Sequence, residues 1–441
     1  MLTRRFIKRF SIVALVLCVG LCSCEKKETR TSAKVKRAPV AGGFYGWDSL
    51  MLRNMYVRLD VVPDLGGKIM GYDMLGYQVL WHDTAKEGFV DTGQGYGFGE
   101  RFFNPGGAKV WPAPQGWSGE GEWPGPPDDV LDGSAYEYDY DESSITVISP
   151  RDDAPGRSGL QFRHTYSIVN SSSILDLNLS MTNIVDRPVR WGLWHIATVP
   201  VDRQCTVYAP VNDGDWSVMF GAEDNPQWLG VENGLFRARY DKRVGKVGLK
   251  VREGWLAWHD EENNIVYAML FPVKKGAEYP DGGSNVEIWT SGAGTIHANN
   301  EDFTSDYTLE TAMMELEIMG PLTRLSPGKT ASMDVKWGVC RCSGIKRVIP
   351  AGVIVEELEY DGEKITGKFG VFQGGDLQAI YIGKDGGMIS RRNLMGTSPL
   401  SEVIISIPHD KLVTLKAETI RFQVISNDKQ HTAVIGEVPL H

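Results

Sequence analysis

Cysteine is scarce in this chain of 441 residues. There are six, of which Cys18, Cys22 and Cys24 fall in or at the end of an amino-terminal leader, leaving Cys205, Cys340 and Cys342 for the body. Three thiols cannot all pair, and a Cys340–Cys342 bridge would be strained within a strand. A disulfide from Cys205 to one member of that pair stays open in an oxidising compartment. No histidine stands at ligand spacing from the Cys-x-Cys pair, so no metal site is expected there. Helical periodicity is also missing. After the leader, no apolar pattern of period 3.6 runs beyond about ten residues. A long basic stretch is absent too, which argues against nucleic acid as a partner. The chain carries 46 Lys+Arg against 56 Asp+Glu. Without Arg4, Arg5, Lys8 and Arg9 of the leader, 42 basic residues face 56 acidic ones, a net charge of −14.

The leader itself has a clear pattern. Those four basic residues precede an apolar run from Ile12 to Leu21, about ten residues and too short to span a bilayer. Leu21-Cys22-Ser23-Cys24 then places a small residue before a cysteine at the end of that run. This is the pattern of a bacterial lipobox. The expectation is a signal peptide over 1–23, cleavage before Cys24, and lipidation of its thiol. Residues 24–44 are polar and read as a flexible tether. The expected location is therefore the cell envelope, with the membrane as a partner through the lipid on Cys24.

What remains alternates with period two almost everywhere. Met55–Val62, Leu160–Ile168, Ile174–Met181, Val189–Val199, Val286–Thr290, Leu309–Ile318 and Thr330–Val339 are rich in β-branched and aromatic residues and bounded by turn formers. The fold class is all-β, a large antiparallel sandwich over 45–344. A junction near Ile345 leads to a second all-β unit over 345–441, the size of an immunoglobulin-like module. Gly88–Gly133 resists the alternation. It is rich in Gly, Pro and Trp and reads as a long functional loop.

Chemistry-bearing residues gather in three places. Within Asn104–Trp117, Trp111 and Trp117 lie in a segment stiffened by Pro112 and Pro114. Thirteen tryptophans are many for an exported chain of this length. An indole offers a flat apolar face of the kind a sugar ring stacks on. In the second place, His195 ends Val-Arg-Trp-Gly-Leu-Trp-His on a strand. The third pairs Glu315 with Glu317, two apart and so on one strand face, leaving Leu316 and Ile318 for the core. Like charges so placed tend to raise one pKa. Asp128, Asp129 and Asp132 share a loop but lack the spacing of a known calcium loop.

Taken in order, several segments resemble the galactose mutarotase-like superfamily, in a branch found in exported bacterial proteins. They are Val-Val-Pro-Asp-Leu-Gly-Gly-Lys-Ile at 61–69 and Gly-Gly-Ala-Lys-Val-Trp-Pro at 106–112, then Asn-x-x-Asp-x-Pro at 183–188 leading to His195. Ser-Asn-Val-Glu-Ile-Trp at 284–289 follows, then the Glu315–Glu317 strand running on to Leu-Ser-Pro-Gly at 325–328. The resemblance implies a β-supersandwich with a sugar cleft and no cofactor. It implies Glu317 as general base, with Glu315 as its substitute, and His195 as general acid on the ring oxygen. Lys68, Lys109, Trp111, Trp117 and Trp289 would bind the sugar. Lys68 stands where such enzymes often carry Arg, which removes bidentate contacts, and Trp194 competes with His195 for the acid's position. Two functional readings therefore stand side by side. One is a sugar-anomer isomerase like the aldose 1-epimerases. The other is a non-catalytic glycan-binding lipoprotein. A structural role, with the carboxy-terminal module docking a partner, is the third.

Overall fold

The computed structural model describes residues 40–90, 104–116, 122–123, 125, 128–298, 301–408 and 417–440. Strands dominate, joined by turns and three short 3-10 segments. Every pairing between adjacent strands is antiparallel among the described residues. Two large sheets carry the first sandwich, one of twelve strands and one of ten. The centre of the twelve-stranded sheet runs, in spatial order, through Lys68–Met74, Ala108–Ala113, Val189–Pro200, Met313–Met319, Val286–Thr290 and Gly245–Leu249. The ten-stranded sheet centres on Thr330–Arg341, flanked by Leu175–Asn183 and Ile265–Leu270.

Alternation decides which residues fill the space between them. Val110, Leu316, Ile318, Val286, Ile288 and Val247 from the first sheet meet Leu177, Tyr267, Trp337 and Val339 from the second in one apolar cluster. The residues between them on the first sheet point the other way, and there the ionisable groups collect.

The segment around 108–113 departs from its sequence. Its surroundings read as a loop, yet Ala108–Ala113 is a strand with all six residues buried. It pairs with the His195 strand from Ala108↔Ala197 to Ala113↔Gly192. A central strand covered on both faces has no polar side to alternate with, so the period-two signal vanishes. The turn that feeds it needs its glycines. Gly106 and Gly107 sit at φ 90° and 71°. A Cβ on Gly107 would stand 2.5 Å from the Ile69 carbonyl oxygen. A second departure is at the tether. Val40–Phe44 forms an edge strand against Trp47–Arg53, because the buried Phe44 and Trp47 give it an apolar anchor.

The carboxy-terminal part is two four-stranded sheets enclosing Ile365, Phe369, Leu377, Tyr381 and Phe422. It packs on the back of the ten-stranded sheet. There Trp255, Val266 and Ala268 meet Val348, Val353 and Phe372. The Phe372 carbonyl accepts from the backbone N–H of Ser173 at 2.7 Å and the Ser172 hydroxyl at 2.8 Å. The described residues belong to one compact unit. Cys205, Cys340 and Cys342 are buried free thiols.

Candidate functional site: a buried lysine–carboxylate cluster

On the face of the twelve-stranded sheet turned away from its partner, five adjacent strands present one ionisable or aromatic row. Ala108–Ala113 contributes Lys109 and Trp111, and Val189–Pro200 contributes Trp194. Met313–Met319 supplies Glu315 and Glu317, Val286–Thr290 supplies Glu287 and Trp289, and Gly245–Leu249 supplies Lys246. The register puts them side by side: Trp111 opposite Trp194, Glu317 opposite Glu287, Glu315 opposite Trp289, and Trp289 opposite Lys246. Lys68 joins from the next strand, where Ile69 faces Ala108.

Each lysine is matched to an acid. The Lys109 ammonium donates to Glu315 Oε1 at 2.9 Å. Lys68 Nζ is 2.8 Å from Asp132 Oδ1 and donates to the Asp132 carbonyl at 2.6 Å. Lys246 Nζ lies between two carboxylates, 2.5 Å from Glu287 Oε2 and 2.9 Å from Glu317 Oε2. The indoles knit the groups together. Trp194 Nε1 donates to Glu317 Oε2 at 2.8 Å, and Trp111 Nε1 to Asp132 Oδ1 at 3.0 Å. Lys109 sits 4.3 Å above the Trp111 ring and Lys246 4.5 Å above that of Trp194. The two rings meet edge to face at 5.3 Å. Such cation–π contacts strengthen when water is excluded.

Burial sets the protonation. Glu287 is 0% and Glu317 1% exposed. One ammonium cannot neutralise two buried carboxylates, so one of the pair tends to keep its proton. Desolvation pushes the Glu287 carboxyl well above its ordinary range, with Lys246 opposing and Glu317 and Asp281 adding to it. Glu317 is raised for the same first reason. Burial lowers Lys246, but Glu287 and Glu317 more than offset it and the ammonium is stabilised. At Asp132 burial raises the pKa, and the ammoniums of Lys68 and Lys109 overcome that and hold it below the usual range. Burial pulls Lys68 down despite Asp132.

His195 is not part of this cluster. It lies one residue from Trp194, so its ring points to the opposite face. It is 1% exposed and stacks on Trp337 of the ten-stranded sheet at 5.5 Å. Its Nδ1 donates to the Lys109 carbonyl at 3.1 Å. Burial drives its pKa down to about 4. The expectation that His195 faces the carboxylates across a sugar is therefore corrected. Trp194 holds the outer-face position, because side chains in a strand alternate. The bond from His195 to the cluster strand ends on the Lys109 backbone carbonyl, on the inner side of the sheet.

The other expected residues divide clearly. Glu315, Glu317, Lys68, Lys109, Trp111 and Trp289 converge on the outer face. Trp117 and Cys24 lie outside the described residues. The acidic loop is committed to protein donors, since Asp128 accepts from Trp123 Nε1 at 3.1 Å and pairs with Arg157 at 3.0 Å. Three members escaped the sequence reading as site residues: Lys246, Glu287 and Asp132; Trp194 entered it only as a rival to His195. Glu287 had a usable signal, since it shares strand parity with Trp289. Lys246 had none, because nothing local tells that its strand lies beside Val286–Thr290. A separate groove of about 620 Å³, lined by residues including Thr165, Asp176, Trp255 and Lys336, lies elsewhere and holds none of the expected residues.

The model of the DUF4380 family, described as a domain of unknown function, matches residues 114–340, about half of the chain. The chain belongs to that family. The DUF4380 stretch covers four of the five cluster strands but ends short of Lys68, Lys109 and Trp111. No curated protein matches the chain. Among solved structures, the chain is similar to a protein of Synechocystis sp. at 12% identity and a TM-score of 0.43, covering 68% of this chain and 99% of that one. It is also similar to a galactose mutarotase-like protein from Lactobacillus casei at 11% identity and a TM-score of 0.42, covering 66% and 99%. A third is a galactose mutarotase related enzyme from Lactobacillus acidophilus, at 12% identity and a TM-score of 0.39, covering 68% and 100%. At these distances any functional reading rests on the site's own geometry.

Two outcomes are expected. Lys246→Met leaves two buried carboxylates without their counter-ion and costs about 3–5 kcal/mol in urea unfolding at neutral pH. Acid restores part of the loss. A carboxyl whose folded pKa is raised contributes stability that is full below its unfolded pKa and fades as pH rises through the folded one. The second concerns His195, whose folded pKa is depressed from 6.5 to about 4. Its contribution is present above pH 6.5 and is lost as pH falls toward 4. His195→Phe should therefore flatten the stability profile across that window in denaturant titrations. An unchanged slope would show that the imidazole does not titrate as its burial implies.

Proposed function

We propose that the outer face of the twelve-stranded sheet is a saccharide-binding site, and that this DUF4380 protein acts as a glycan-binding lipoprotein of the cell envelope. One observation carries the reading. Three lysines and four carboxylates are gathered on one face of one sheet, interleaved with Trp111, Trp194 and Trp289. Ion pairs buried this deeply add little stability compared with apolar residues of the same volume, so their retention favours a task. A ring bearing hydroxyls matches such a surface. Its C–H face stacks on an indole, and its hydroxyls both donate to carboxylates and accept from ammoniums.

Binding is favoured over anomer interconversion. The latter calls for an acid on the ring oxygen, and His195 is walled behind the sheet. Trp289 is half-buried, with Phe220 edge-on at 6.4 Å, and supplies the accessible indole. In glycan-array and calorimetric titrations of the full chain, Trp289→Ala is expected to lower affinity for bound sugars at least tenfold. In polarimetry, freshly dissolved α-glucose and α-galactose should relax at the buffer rate. Acceleration that disappears in Glu317→Gln would replace the binding reading with an enzymatic one.

The membrane part of the proposal rests on the lipobox at Cys24. No helix among the described residues is long and apolar enough to cross a membrane. Cys24→Ser should abolish palmitate labelling and move the protein to the soluble fraction of the cell envelope. Labelling that survives the change would remove Cys24 from this role.

A further inference from the structure

We infer that the groove of about 620 Å³ on the outer face of the ten-stranded sheet is a second binding site, built for a neutral saccharide. It uses none of the residues of the first site and goes beyond the function proposed above.

Strand register builds the floor of this groove. Ser167, Asp176, Lys336, Leu270 and Trp255 stand opposite one another in turn across five strands. They share one parity and face away from the twelve-stranded sheet, since the alternating neighbours Leu177 and Val335 fill the interior. Two residues along, Thr165, Asn178 and Asp334 make a second row beside the first. At the Trp255 end, Val348 and Pro350 of the carboxy-terminal part close the groove.

Each row sets a donor beside an acceptor. The Lys336 ammonium is bonded to the Asp176 carboxylate. Asn178 Nδ2 donates to Asp334 Oδ1 at 2.6 Å. The two pairs lie on the same two strands, about 7 Å apart along them, with donor and acceptor exchanged between strands. Neither pair is sealed. The side chains of Asp176 and Lys336 are 42% and 52% exposed, and Asn178 and Asp334 are exposed. An ammonium has three N–H groups, an amide two, and a carboxylate several lone pairs. Each pair can therefore still hold one donor and one acceptor of a ligand. Neighbouring hydroxyls on a sugar ring are such a couple: one donates to the carboxylate, the other accepts from the ammonium or amide. Leu270 and Trp255 continue the floor with apolar surface for the ring's C–H face. Trp255 is 3% exposed, and its indole N–H has no hydrogen-bond partner among the described residues. An unmet buried donor is costly, and a ligand oxygen in the groove beside it would supply an acceptor.

The same inventory excludes other ligand classes. Asp176, Asp334 and Glu253 outnumber Lys336 in the lining, so a uronate or a phosphate meets net repulsion. A polyamine would suit the acids but brings no acceptor for Lys336, Asn178 or Trp255. Among the described residues no group of three His, Cys, Asp or Glu is placed to hold a metal ion. The volume falls within the range of small-molecule sites.

The test is calorimetric titration of the full chain with cellotriose, maltotriose and mannotriose, with spermidine and D-glucuronate as charged controls. Trp289→Ala is the background, because it weakens the first site. At least one trisaccharide is expected to bind the Trp289→Ala chain, more tightly than either charged control. Adding Asp334→Ala or Asn178→Ala should lower that affinity at least fivefold. Both are exposed strand positions, where truncation leaves the fold intact. Where the wild type binds a trisaccharide, a Trp289→Ala chain that binds none overturns the inference and leaves the first site standing. Affinity unchanged by both added substitutions, or spermidine binding more tightly than the sugars, overturns it equally. Binding that Asp334→Ala abolishes and Trp289→Ala does not touch upholds the groove while the first site falls. If the wild type binds none of the three, both fall.

Discussion

One ammonium shared by two carboxylates organises this molecule. Lys246 stands between Glu287 and Glu317, and each of the three comes from a different strand. Because the pairing is buried, no water can substitute for a missing partner. The three strands must keep their mutual register or leave charge stranded in a low dielectric. Trp194 extends the constraint to a fourth strand through its bond to Glu317. Lys109 with Glu315, and Trp111 with Asp132, carry it to a fifth strand and to the segment that covers it. The electrostatic cluster and the strand order are thus two descriptions of one arrangement.

The same sheet is two-faced, and the faces have opposite chemistry. Inward, Val110, His195, Leu316 and Ile318 meet the second sheet. Outward, Lys109, Trp111, Trp194, Glu315 and Glu317 form the candidate site. A shift of one residue exchanges these sets, so the position of a single imidazole decides which chemistry the outer face can perform. His195 inward leaves carboxyl groups, ammoniums and indoles to meet a ligand. His164, also in that interior, is pushed down to about 3 by burial and by His195. These two histidines thus belong to the packing between sheets.

Much of the architecture was legible in the pattern. Period-two runs such as Leu160–Ile168 and Thr330–Val339 announced half-buried strands, and alternation set Glu315 and Glu317 apart from Leu316 and Ile318. What stayed hidden has two causes. Ala108–Ala113 is buried on both sides and so carries no alternation, and it read as loop beside its Gly and Pro neighbours. Lys246 and Glu287 gain their meaning only from adjacency, since residues some forty apart become neighbours across a strand pair. His195 illustrates a third difficulty. Its neighbour Trp194 could occupy the same place, and the stacking of His195 on Trp337, remote in sequence, separates them.

The seam between the first sandwich and the carboxy-terminal sheets has a consequence of its own. Trp255, Val266 and Ala268 meet Val348, Val353 and Phe372 in one apolar cluster, and the Phe372 carbonyl is claimed by Ser172 and Ser173. Cutting the chain near it would expose greasy surface on both fragments at once, so the two lobes melt cooperatively and cannot act as independently swinging arms.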